Sequence, residues 1–356
     1  MRKFAYIIVV LLSLLVVALI AGFSLYKYNI GPVSNDKTLK QIIIEEGDTF
    51  SSIAPKLKEK NLIKSEFFYK LYVKFHKTDK FEVGTYDLSE DMCVAQIIEK
   101  ISEGSTTNAH VINITFVEGK NMRNVAKTIA ENTVNTEDDV FNLLKDENYI
   151  QSLIDKYWFL TDEIKNSDIY YPLEGYLFPD TYEFLSKDVT VKEIFETLLD
   201  NTAKKLEPYK KTIEESNYTV HEILTLASIV ELEGAGSNDR AAVAGVFYNR
   251  LDVGMVLGSD ITGYYGAKMD DWTDGLGEHI SDCNGYNTRG ECVSGLPVGP
   301  VCNPGVESIN AALNPEKHEY YYFVADCSGI THLSYTYNEH VRTVDDLVAE
   351  GKWCDN

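Results

Sequence analysis

The chain has 356 residues, room for two or three domains of about 100–200 residues each. It carries 33 lysines and arginines against 55 aspartates and glutamates, a formal net charge of −22. Nucleic-acid binding needs a basic face, so nucleic acid is excluded as a partner, and anionic headgroups suit little of so acidic a surface.

Phe4 to Tyr26 reads FAYIIVVLLSLLVVALIAGFSLY, 23 residues without a charge. About 20 apolar residues cross a bilayer core, whereas the apolar part of a signal peptide is about 7–15 residues and ends at a small-residue cleavage site. No such site follows, and no cysteine offers a lipid attachment point. The expectation is an uncleaved transmembrane helix over 4–26, with 1–3 before it and a polar linker over 27–39. Arg2 and Lys3 precede the span and only Lys27 follows closely, which places the N-terminus in the cytoplasm and the rest of the chain outside a cell membrane crossed once.

Residues 46–59, EGDTFSSIAPKLKE, and 118–131, EGKNMRNVAKTIAE, align at a constant offset of 72. Ile53 matches Val125, Ala54 matches Ala126, Leu57 matches Ile129 and Glu59 matches Glu131. Each copy comes after a β-branched run, Gln41 to Glu45 and Val111 to Val117, and so reads as strand, glycine turn, amphipathic helix. Between them FEVGTYDLSEDMCVAQIIEKISEG predicts a strand and then a helix over Val94 to Ile101. The first copy, with its GDTFSSIA, is similar to the LysM family of small glycan-binding modules. That resemblance implies a module over 40–108 that either binds glycan or orients the larger domain after it. The second copy, within 111–134, opens that larger domain, over 109–356.

Thr136 to Ile164 reads as acidic and helical. Leu173 to Phe184, LEGYLFPDTYEF, is densely aromatic, with Leu177 and Phe178 expected in the core. A carboxylate at Glu174, between Leu173 and Gly175 in an apolar run, needs a partner. Val189 to Lys211 is expected to form one long amphipathic helix.

Thr219 to Leu251, TVHEILTLASIVELEGAGSNDRAAVAGVFYNRL, reads as helix, glycine break, helix. Thr219 and Glu222 have capping-box spacing, and Ile223, Leu226, Ala227 and Val230 form a buried face. Gly234 and Gly236 stop the helix, Ser237 or Asn238 caps the next one, and Val243, Val246 and Phe247 are its core positions. Glu231 lies one residue past the buried face, in the last turn. There it faces the negative end of the helix dipole, and partial burial would add to that effect; both favour the neutral acid a general acid must be. Glu233 is turned roughly 200° around the helix, so the two do not form an obvious dyad. On spacing alone, a solvated glutamate remains the alternative.

ASIVELE, VFYNRL and GSDITGYYG together resemble the membrane-bound endolytic murein transglycosylase family, the YceG-like group. FEVGTYDL, the EGYLFPDT segment, Tyr286-Asn287-Thr288, Gly295-Leu296-Pro297, CNPG from Cys302 and YYFVAD from Tyr321 extend the match, as do His332 and Glu339-His340. The resemblance implies that Glu231 is catalytic. It also implies that Glu174, Tyr176, Asp180, Thr181 and Tyr182 line a glycan cleft, and that Asn249, Arg250, Asp260, Tyr286, Asn287 and Asn303 contribute to substrate binding. The implied reaction cuts the MurNAc–GlcNAc bond of nascent peptidoglycan strands internally and leaves 1,6-anhydroMurNAc ends, without cofactor or metal. The implied partners are glycan strands and cell-wall synthases of elongation or division. The fold class is α+β: a membrane helix, a LysM-like αβ module and a mixed α+β catalytic domain. The competing readings are a glycoside hydrolase using Asp260 or Glu174 as second carboxylate, and an inert membrane-tethered glycan-binding scaffold.

Six cysteines in an extracytoplasmic chain allow fifteen full pairings. Cys283–Cys292 is the preferred pair, a local loop clip, with Cys327–Cys354 second and Cys302 free. A zinc site from His279, Cys283, Cys292 and Cys302 would lack the paired C-x₂₋₄-C spacing of structural zinc. His221-Glu222 begins an HExxH pattern, but position 225 is threonine, and neither a G-x-S-x-G elbow nor a phosphate loop is present.

Overall fold

The structure, a computed structural model, describes residues 2–45, 47–76, 81, 83–102, 111–234, 239–270 and 275–353, apart from the side chains of 2–13. Two compact units emerge, Met1–Ile112 with Phe184–Lys187, and Asn113–Glu183 with Asp188–Asn356.

The first unit opens with α1 (Arg2–Ile30), 29 residues long. Among the described residues no helix is long and apolar enough to cross a membrane. The expected span over 4–26 falls within α1, with part of its side chains outside the described residues. Then come β1 (Lys40–Ile44), α2 (Phe50–Glu59), α3 (Glu66–His76), β2 (Gly84–Leu88) and α4 (Val94–Ser102). β1 and β2 pair antiparallel, Lys40 opposite Leu88 and Ile44 opposite Gly84. Strand alternation turns Ile42 and Ile44 inward, where they join Ile53, Leu57, Tyr69, Ile97 and Ile101 in one core. Thr49 and Ser52 close a capping box that starts α2.

The second unit holds β3 (Ile112–Thr115), α5 (Met122–Asn132), α6 (Glu137–Leu144), α7 (Glu147–Lys156), β4 (Thr181–Phe184), α8 (Val191–Leu206), α9 (Lys210–Glu214), α10 (Val220–Glu233), α11 (Arg240–Asp252), α12 (Asp260–Gly266), α13 (Val306–Leu313), β5 (Tyr322–Ala325), β6 (Thr331–Ser334) and α14 (Tyr337–Ala349). β3 pairs with β4, and β5 with β6. The class is α+β. β3 and α5 begin 72 residues after β1 and α2, and the turn glycines Gly47 and Gly119 both take left-handed backbone, with φ of 91° and 74°. The repeat read from sequence is therefore a structural repeat.

Two helical expectations break up. Thr136 to Ile164 is two helices, because Asp146 accepts the backbone N–H groups of Asn148 and Tyr149 and starts a new helix. Val189 to Lys211 is α8 followed by a 3₁₀ turn over Glu207–Tyr209 and the short α9. Pro208 has no N–H to continue the α-helical ladder, and its ring disfavours helical backbone in the residue before it.

α10 is the centre of this unit. Every residue from Val220 to Val230 except Glu222 is buried, and the helix packs against α11, α12 and α13. The apolar run from Ile223 to Val230 follows from that, since a helix segment packed against three others has little solvent face.

Candidate active site

α10 ends at Gly234, whose N–H donates to the Val230 carbonyl. A Cβ at Gly234 would lie 2.9 Å from that carbonyl oxygen and 3.0 Å from Arg240 Cγ, so glycine lets the start of α11 approach the end of α10. The expected caps Ser237 and Asn238 lie outside the described residues. The N-cap of α11 is Asp239, whose carboxylate accepts the N–H of Thr331 at 3.1 Å.

In this corner the Glu231 side chain is 7 % exposed and holds two donors. Arg240 Nη2 donates to Oε1 at 3.1 Å, and the backbone N–H of Gly305 donates to Oε2 at 2.9 Å. Gly305 is the N-cap residue of α13. The carboxylate thus sits at the negative end of α10 and the positive end of α13, two helix fields of opposite sign. Only the first is visible in local sequence. Arg240 also donates through Nη1 to Glu307 at 2.7 Å, linking α10, α11 and α13 through one guanidinium.

The turn after β3 closes the other side. Gly119 presses against α10: a Cβ there would lie 3.1 Å from Leu232 Cδ2 and 3.7 Å from Glu231 Cγ. Its N–H donates to the Asn303 carbonyl at 3.0 Å, and the Asn303 N–H returns to the Lys120 carbonyl at 3.0 Å. Glu118, next in line, reaches over Gly305, where an added Cβ would overlap its carboxylate. Partial desolvation, together with the charges of Glu231 and Glu307, pushes the Glu118 carboxyl up, and Arg240 opposes this. A cavity of about 160 Å³ lies beside the turn, lined in part by Glu118, Gly119, Asn121, Leu232, Tyr265 and Asp270. That is smaller than the roughly 300–1,000 Å³ of a typical ligand pocket.

Glu174 stands behind this turn, 1 % exposed. Its Oε2 accepts the Met122 N–H at 2.8 Å and the Tyr265 hydroxyl at 2.8 Å, and Asn303 Nδ2 reaches Oε1 at 3.5 Å. Burial raises its pKa to about 7, although the Met122 and Tyr265 bonds favour the carboxylate. Asn303, 2 % exposed, accepts the Leu177 N–H at 3.0 Å and donates to the Lys120 carbonyl at 3.0 Å. Glu174 and Asn303 are thus internal struts that fix the turn pressed against Glu231.

The YceG-like family model matches residues 42–346. The chain belongs to this family. An endolytic murein transglycosylase of Bacillus subtilis is 35% identical over 335 residues, 93% of this chain and 91% of that protein. One of Streptococcus pneumoniae is 30% identical over 363 residues; there the chain spans 65% of the relative's length. The crystal structure of a YceG-like protein from Listeria monocytogenes superposes with a TM-score of 0.62 at 31% identity, covering 86% of this chain and 99% of that one.

Of the residues that the YceG-like resemblance assigned to substrate, most face inward. Tyr176 is buried, its hydroxyl 2.7 Å from His221 Nδ1; His221 Nε2 lies 2.9 Å from the Val298 carbonyl. A carbonyl only accepts, so Nε2 carries a proton and donates to it. Tyr182 donates to the Phe178 carbonyl at 2.6 Å. Tyr286 and Asn287 have no exposed surface: the Tyr286 hydroxyl accepts the Tyr170 N–H at 3.1 Å, and Asn287 Nδ2 donates to the Ile280 and Asp282 carbonyls. Asn249 donates to the His318 and Tyr320 carbonyls, and Arg250 to those of Tyr321 and Leu257. These side chains are bonded to backbone groups or side chains of the protein itself. Asp180 and Thr181 are exposed; Asp180 lies 3.8 Å from Lys205 Nζ, and Thr181 Oγ1 lies 2.9 Å from Thr115 Oγ1.

The expected neighbour of Glu231 is also displaced. Asp260 pairs with Arg289, and its charge acts on Glu233, which accepts the Ser259 hydroxyl at 2.6 Å. Burial first, and Asp260 second, raise the Glu233 pKa. The carboxylate that does approach Glu231 is Glu118, which sequence reasoning missed, as it missed Arg240, Gly305 and Glu307. One signal pointed to Glu118: the Glu-Gly opening of the repeat.

Cys283 and Cys292 form a disulfide, with Cα atoms 5.5 Å apart. The zinc alternative needed both thiols and is overturned. Cys302 is buried and free, its thiol donating to the Ser228 carbonyl at 3.3 Å. Cys327 is disulfide-bonded; Cys354, its expected partner, lies outside the described residues. A groove of about 900 Å³, lined by Phe141, Ile164, Tyr170 and Tyr171 among others, does not include Glu231.

Proposed function

We propose that this protein is an endolytic murein transglycosylase with Glu231 as its acid–base group. The observation that carries the reading is the placement of Glu231, closed to bulk water on one side and held by Arg240 and the Gly305 N–H at the junction of three helices. Protonated Glu231 gives its proton to the glycosidic oxygen between MurNAc and GlcNAc, and the C1–O bond breaks. The C6 hydroxyl oxygen of the same MurNAc then bonds to C1, and its proton passes to the Glu231 carboxylate. The 1,6-anhydro ring forms without water, and the acid is regenerated. Arg240 and the Gly305 N–H oppose the negative charge present on Glu231 between the two proton transfers.

Residues 4–26 serve as a single membrane anchor, with the N-terminus cytoplasmic and the second unit outside. An anchored enzyme meets glycan strands where they emerge, so it ends their elongation and works beside the synthases of elongation or division. The first unit orients the chain on glycan in the manner of LysM modules.

The test is mass spectrometry of muropeptides after incubation with uncrosslinked strands. Anhydro ends, lighter by one water than hydrolysed ends and absent with Glu231→Gln, are expected. Reducing ends would make the protein a hydrolase. No cleavage by wild-type protein would leave a glycan-binding scaffold.

A further inference from the structure

We infer that Glu118 is a second catalytic carboxylate, contacting the sugar at the cleaved bond and countering the positive charge that develops on its ring. The inference rests on the reading of Glu231 as the acid, and four observations carry it.

The first is that both carboxylates converge on one residue. Glu231 accepts the N–H of Gly305, and the Glu118 carboxylate covers the space where a Gly305 side chain would begin. The second is a difference in engagement. Glu231 holds two donors and is nearly closed off, whereas Glu118 is exposed, borders the cavity and makes no hydrogen bond or ion pair among the described residues. The third is rigidity. The backbone after Glu118 is fixed by the Gly119–Asn303 and Asn303–Lys120 bonds and by Glu174 on Met122, and the backbone before it by the Phe116 N–H on the Asp180 carbonyl at 2.9 Å. An unpaired carboxylate on an immobilised turn is preorganised for charge elsewhere, because little reorganisation is needed when that charge appears. The fourth is the electrostatic setting. Glu231 from α10 and Glu307 from α13 act on Glu118 with like charge, and Arg240 from α11 opposes them. A cationic sugar ring lowers the cost of holding these acids together.

A solvated turn residue inherited from the repeat predicts something different, since the first copy has Glu46 at the same place. Such a residue tolerates glutamine.

The experiment uses the full chain in detergent with uncrosslinked glycan strands and compares wild type, Glu118→Gln, Glu118→Asp and Glu231→Gln. Rates, KM, pH profiles and thermal unfolding are recorded for each. The expected result is about a 100-fold loss of kcat in Glu118→Gln with KM and the unfolding midpoint unchanged, a shifted acid limb, and partial recovery in Glu118→Asp. A Glu118→Gln protein with wild-type rate and pH profile, beside an inactive Glu231→Gln, would overturn the role of Glu118 alone. Equal losses in Gln and Asp with a lowered unfolding midpoint would also overturn it, by making the residue structural. An active Glu231→Gln would instead overturn the acid assignment on which the inference stands.

Discussion

The carboxylate of Glu231 accepts the backbone N–H of Gly305 at 2.9 Å, so the end of α10 and the start of α13 meet on one side chain. That contact spans 74 residues of sequence. It places a helix N-terminus, a site suited to negative charge, against the Glu231 carboxylate.

Glu231→Gln should abolish turnover while leaving the fold intact. The glutamine carbonyl still accepts from Gly305, but no proton is available at neutral pH. Loss of a general acid costs roughly 10²- to 10⁴-fold in rate, measured as release of anhydro ends. Circular dichroism should show an unchanged helix content.

Gly305→Ala separates site from fold. The φ of −76° at this position is open to alanine, yet the new Cβ takes the space of the Glu118 carboxylate. Glu118 is exposed and can swing away, so the expected stability change is within about 1 kcal/mol by urea unfolding. Activity should fall as far as in Glu118→Gln. Full activity in Gly305→Ala would show that the position of Glu118 is immaterial.

Glu174 gives a stability prediction with a defined sign. Its folded pKa of about 7 lies above the ordinary glutamate value of 4.5. Between these values the unfolded chain is ionised while the folded chain keeps the proton, so folding takes up a proton. The stability this contributes is complete below about pH 4.5 and is lost as pH rises through 7, a total of about 3 kcal/mol. Urea midpoints of wild type should therefore fall from pH 5 to 7, and those of Glu174→Gln should fall less. Parallel slopes would contradict the assignment.

Reduction of Cys283–Cys292 should destabilise the protein by about 3 kcal/mol, the loop-closure value for a short clip. Thermal melts of wild type beside a Cys283→Ser, Cys292→Ser double variant measure this, because a reductant would also open the bond at Cys327. In the unreduced protein a thiol reagent should modify the half-exposed Cys93 and leave the buried Cys302 untouched.

Much of the architecture is readable in the sequence because it rests on short-range rules. The capping box at Thr219, the buried face of α10 and the position of Glu231 in its last turn all depend on residues within four of each other. The repeat is readable because two copies of one pattern reinforce each other. Pro208 ends a helix that apolar spacing alone predicts to continue, though its chemistry is local. Asn249, Arg250, Tyr286 and Asn287 point to substrate in the sequence because polar side chains in a motif suggest a ligand. In the structure their ligand is the protein's own backbone.

By itself, then, the sequence determined the helix that carries Glu231, the glycine that ends it, the duplicated strand–turn–helix and the local disulfide. These follow from hydrogen bonds, steric limits and apolar spacing along a few consecutive residues. Only the tertiary structure decided what surrounds Glu231. Arg240, Gly305 and Glu118 come from α11, α13 and the turn after β3, and no local periodicity encodes their meeting. Side-chain packing around α10 sets those distances, and the buried bonds of Glu174 and Asn303 hold Glu118 and Gly119 against it.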